Sequence, residues 1–165
     1  MRLQYLIPVL IYFPLLVIQI TFIPLISIEG VVPDLLLIGL IYFTISLGQI
    51  PGTLYGAFFG LTFDLITGSL LGSTMLSYTI AGFTAGYFSA ETRREKYLNT
   101  FSFTLVVFLC AVVESIVYSF FSILDFNTNI FKLFFDNALL PAVYTGLVSI
   151  IVLIFPFKKG ITLED

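Results

Sequence analysis

The chain has 165 residues, of which 59% are hydrophobic and only 10% charged, and its mean hydropathy is +1.09. A soluble domain carries about 25% charged residues, so this composition argues against an ordinary water-soluble protein and makes lipid the expected solvent. A net charge of −3 without a basic run points away from nucleic acid, and one cysteine with no histidine excludes an internal disulfide and a thiol metal site.

A membrane-spanning helix needs roughly 20 apolar residues, and six segments approach that length. The first, about 3–26, contains Pro8, Pro14 and Pro24. Its apolar run is too long for the core of a secretory signal, and no small-residue cleavage site follows it, so it reads as a retained first span. The second, about 33–47, opens on Pro33-Asp34 and is followed by "SLGQIPG", a turn by its glycine and proline. The third, about 52–66, ends at the turn "TGSLLGS", and the fourth covers about 74–88. Segments two and three could instead form one re-entrant hairpin. After the polar stretch "SAETRREKYLN" come the fifth and sixth segments, about 99–124 and 137–157. Between them "DFNTNIFKLFFD" has the makings of an amphipathic interfacial piece. Cys110 lies in an apolar run and reads as packing.

Charge sets the expected orientation, because lysine and arginine collect on the cytoplasmic side. With six spans and an internal N-terminus, Arg2, Arg93, Arg94, Lys96, Lys158 and Lys159 face the cytoplasm, leaving Lys132 outside. The predicted fold is therefore all-α: a single polytopic bundle over 1–165, with both termini cytoplasmic. Tyr5, Tyr87 and Tyr97 are placed to anchor the inner interface. No stretch is long enough for a soluble catalytic domain.

Within lipid, helices associate where small residues let backbones approach. Gly52, Gly56 and Gly60 form one stripe, and Gly82 and Gly86 repeat the device on the fourth segment. The stripe reads either as packing within the chain or as a docking face for a partner helix. One further step of four lands on Asp64. A carboxylate in a span costs about 2.5–3.5 kcal/mol and usually faces the bundle interior. Asp64 lies roughly 18 Å above Gly52, and Glu114 roughly 22 Å above Asn99, by helical rise, so the two acids share a depth. Asp34 and Asp136 each open a helix, where the dipole favours an acid. Asp64 is expected to hold the turn after the third segment by accepting its backbone N–H groups; a hydrogen bond to a nearby Ser, Thr, Tyr or Asn, a partner contact, and proton or cation handling are the alternatives for it and for Glu114. No histidine base, nucleophile pair or acidic cluster of metal spacing exists, so no enzyme, cofactor or metal is expected.

The stretch 51–88, "PGTLYGAFFGLTFDLITGSLLGSTMLSYTIAGFTAGYF", resembles the MreD family of bacterial rod shape-determining membrane proteins. The resemblance rests on Pro33-Asp34, on the pattern D-L-x-x-G-x-x-x-G from Asp64 through Gly68 to Gly72, and on "FFDNALLPAVYTGL" with Asn137 and Pro141. Length and span count agree over the whole chain, while the poorly basic C-terminal tail departs from the pattern. The resemblance implies a non-enzymatic scaffold of the cell-elongation complex in the inner membrane. Its implied partners are MreC and, indirectly, the actin-like MreB, the glycosyltransferase RodA and a penicillin-binding transpeptidase. The family also resembles the S components of energy-coupling-factor vitamin transporters in fold, which makes a solute binder the alternative. Against it, the first segment lacks the alanine face by which S components engage their coupling partner.

Overall fold

The computed structural model of the protein describes residues 5–28, 30–89, 100–122 and 139–154. These form six helices with no strands: α1 (Ile7–Thr21), α2 (Leu35–Leu47), α3 (Gln49–Thr67), α4 (Ser73–Gly86), α5 (Thr100–Ser122) and α6 (Leu140–Ile154). All seven lysines and arginines, together with Asp136, Asn137 and Tyr97, lie outside the described residues.

Proline sets the first boundaries. Pro8 is accepted in the opening turn of α1, where its missing N–H would have no intrahelical partner. Pro24 has no N–H and its ring crowds the carbonyl four residues earlier. The first segment does not run as one helix to Ile26: α1 accommodates Pro14 in its interior and stops at Thr21, and a single 3-10 turn, Ile23–Ile26, follows with Pro24 near its start. Ile28 and Val31 then exchange backbone hydrogen bonds of 3.1 and 2.9 Å around Gly30.

The expected turn "SLGQIPG" shrinks to one residue. Gly48, at φ 108°, links α2 directly to α3, and Pro51 falls in the first turn of α3, the one part of a helix that tolerates it. α3 consequently begins three residues before Gly52. It ends on Gly68, whose left-handed φ of 69° lets its N–H return to the Asp64 carbonyl at 3.0 Å.

α2 is the centre of the bundle and packs against each of the other five helices. Leu36, Leu37, Leu40, Ile41 and Ile45 are all buried, as expected for a helix that is apolar all round. Its 13 residues reach only about 20 Å. α3 and α4 make the most extensive pairing, followed by α4 with α5 and α5 with α6. Tyr12 of α1 stacks on Phe59 of α3, with ring centroids 4.0 Å apart, and donates to the Phe59 carbonyl at 2.7 Å.

Consecutive helices alternate in direction. At one end the close of α5 meets the openings of α4 and α2, through Glu114, Ser77, Tyr78 and Asp34. The Asp34 N–H also donates to Thr145 in the opening turns of α6, at 3.0 Å. At the other end Gln49, opening α3, reaches Phe83 near the close of α4. There too Tyr55 donates to the Tyr5 carbonyl just before α1. The outward surface is apolar: Leu10, Leu25, Ile50, Phe101 and Phe120 are each at least three-quarters exposed. Among the described residues one helix, over Phe101–Phe121, is long and apolar enough by itself to cross a membrane; α1, α2 and α6 are shorter apolar helices.

Candidate functional site

Two constellations meet at the end of the bundle where α2, α4 and α6 begin. The first is the glycine seam between α3 and α4, closed by Asp64. A Cβ on Gly60 would lie 2.5 Å from the Met75 Cα, and one on Gly82 would lie 2.6 Å from the Gly52 carbonyl oxygen. At Gly56 it would overlap the Tyr78 carbonyl, at Gly86 the Gln49 side chain, and at Gly52 the Thr44 side chain of α2. All five faces are thus covered by this chain's own helices, and at Gly56, Gly60 and Gly82 the approach is to backbone, which admits no larger residue.

Asp64 is fully buried at the top of that seam. α4 begins on Gly72, which has no side chain to cap the helix, so its first N–H groups need an acceptor from elsewhere. Asp64 provides it from the preceding helix. Its Oδ2 accepts the N–H of Gly72 at 2.9 Å and of Met75 at 3.2 Å, while Oδ1 accepts the N–H of Thr74 at 3.3 Å and the Ser69 hydroxyl at 2.8 Å. The carboxylate is in effect a remote N-cap, and its charge complements the positive end of the α4 dipole. Gly68 and Gly72, both at positive φ, shape the loop that brings these donors back over α3.

The second constellation is a cavity of about 690 Å³ between the helix ends. Asp34 sits in its wall and caps α2, its Oδ1 accepting the Leu37 N–H at 3.0 Å. The Tyr78 hydroxyl donates to Asp34 Oδ2 at 2.5 Å. One residue earlier on α4, Ser77 donates to Glu114 at 3.3 Å, and Ser115 donates to the other Glu114 oxygen at 3.2 Å. Gln19 secures the rim, donating to the Pro33 carbonyl at 3.0 Å and accepting the Leu35 N–H at 2.9 Å. Pro141 lines the same space.

Sequence reasoning pairs Asp64 with Glu114 by depth. Both do reach α4 within a turn of each other, at Thr74 and Ser77, but the acid that shares the cavity with Glu114 is Asp34, not Asp64. Sequence reasoning does not single out Tyr78, Gln19 or Ser119, which also lines the cavity. Gln19 alone carried a legible signal, being a lone amide in an apolar run; Tyr78 looks like any interfacial aromatic. Asn137 lies outside the described residues. Among these residues no group of three or more His, Cys, Asp or Glu could hold a metal ion.

Compared with known proteins, the chain matches the family model for rod shape-determining protein MreD over residues 1–161. No curated protein and no solved structure matches it.

Proposed function

The chain belongs to the MreD family of rod shape-determining membrane proteins, and from that premise we propose that it is a non-enzymatic, multi-pass scaffold of the bacterial inner membrane. It supports lateral peptidoglycan synthesis by binding MreC and, through it, MreB, RodA and a penicillin-binding transpeptidase. The observation that carries the reading is the family match across nearly the whole chain. A multi-pass arrangement is supported by the apolar residues turned outward on α1, α3 and α5, because a patch of that extent is stable only against lipid or protein. Both termini are cytoplasmic on this reading, from the clustering of basic residues.

The scaffold role also accommodates the glycine seam. With its small residues used inside the chain, the seam makes a rigid platform, and the partner contact falls on the outward surface. The test is depletion of the native protein in a rod-shaped bacterium, complementation by this chain, and in vivo crosslinking to MreC. Restored rods with a crosslinked adduct are expected. Restored rods with no association with MreC would remove the scaffold reading.

A further inference from the structure

The cavity holds more chemistry than the packing of the helices requires. Its volume of about 690 Å³ falls in the range of small-molecule sites, about 300–1,000 Å³. Asp34 and Glu114 both line it, and no lysine or arginine stands among the described residues to neutralise them. Among the described residues Glu114 accepts two long hydrogen bonds there, both from serine hydroxyls, whereas an ionised carboxylate offers about four acceptor positions. The independent observation is Ser119. It lines the cavity one turn beyond Ser115, is 92% buried, and its hydroxyl has no hydrogen-bond partner among the described residues. Buried hydroxyls are nearly always paired, so an unpaired one lining the same cavity as an under-satisfied acid points to a group that completes both.

The chemistry of that group follows from the wall. Two carboxylates repel an anion. A bare divalent metal would want more acidic or carbonyl ligands in a tighter shell than two acids in a space this large supply. An organic ammonium fits on each count. Its N–H groups donate to Glu114 and to the Ser119 oxygen, and its charge answers both acids. The Tyr118 ring in the wall attracts cations, and Phe63, Val31 and Leu140 take an apolar body. We infer that this cavity is a binding site for a primary amine, carried either by a lipid headgroup or by a free small molecule. The inference stands independently of the scaffold reading, since it rests on the cavity alone.

Native mass spectrometry of the full chain in mild detergent tests it. The probes are palmitoyl-oleoyl phosphatidylethanolamine, the matching phosphatidylglycerol, and putrescine. The chain is expected to retain at least one amine probe, with affinity about tenfold or more above phosphatidylglycerol. Retention of the lipid amine alone identifies a headgroup site, and retention of putrescine identifies a site for free amines. Glu114→Gln should weaken binding about tenfold and Ser119→Ala by a smaller factor. Leu105→Ala, which lies exposed on α5 away from the cavity, should leave it unchanged. Unfolding midpoints measured without probe establish that each variant is folded. Where Glu114→Gln unfolds, Ser119→Ala decides alone. No amine retained by the native chain, equal retention of phosphatidylglycerol, or binding untouched in the deciding variant overturns the assignment.

Discussion

Replacing Asp64 separates a structural cap from a working acid. In Asp64→Leu three backbone donors, the N–H groups of Gly72, Thr74 and Met75, lose their acceptor at a fully buried site. Each orphaned donor costs roughly 1–3 kcal/mol; the Ser69 hydroxyl can rotate to another acceptor. Three donors at the low end of that range total about 3 kcal/mol, a large share of a typical stability of about 5–15 kcal/mol. Asp64→Asn is milder. Its amide oxygen can take the Oδ2 place and keep Gly72 and Met75, while its NH₂ turns toward Ser69, whose hydroxyl can accept. Only the long bond from Thr74 is forfeited, which limits the loss to about 1–3 kcal/mol. The assay is the unfolding midpoint of purified protein, with immunoblots and complementation of cell shape. Asp64→Leu should be scarce and inactive, and Asp64→Asn present and largely active. An abundant, correctly inserted Asp64→Asn that fails to restore rods would refute the cap and leave a role for the acid's charge.

Gly56→Leu and Gly60→Leu should abolish folding and MreC crosslinking, since each drives a side chain into α4 backbone. Leu54→Ala, at an exposed position, should change neither, and native-like behaviour of both glycine variants would show that the seam is not tightly packed. Tyr78→Phe keeps the buried ring but removes the hydrogen bond to Asp34, for a loss of about 1.5–3 kcal/mol in unfolding free energy; an unchanged midpoint would mean that bond is not formed in the membrane. For topology, single cysteines introduced in a background lacking Cys110 should label from outside at positions 29 and 127 and stay unlabelled at 93 and 163. Labelling at 93 in intact cells would reverse the assignment.

Composition and spacing by themselves determined the helical fold that the described residues show, because a charge-poor sequence with six long apolar runs has few ways to satisfy its backbone in lipid. They also marked the glycines at intervals of four, since a helix places those positions on one face whatever surrounds it. Helix boundaries were legible only in part. Pro24 and Pro51 carry the same local restriction, yet one follows the end of a helix and the other sits inside the start of one. Position within the turn decides which, and Gly48 at positive φ made that choice. The partners of the polar side chains belonged wholly to tertiary structure. Asp64 lies eight residues from Gly72, but the cap forms only because the seam draws α3 and α4 into backbone contact and folds the loop back over the acid. Asp34 and Glu114 are 80 residues apart in sequence, and they share one cavity because α2 stands at the centre with its capped end toward α4, α5 and α6. Periodicity reports which face a residue occupies. Which other face it meets depends on the order in which helices surround the buried one, and that order is set by packing among all six at once.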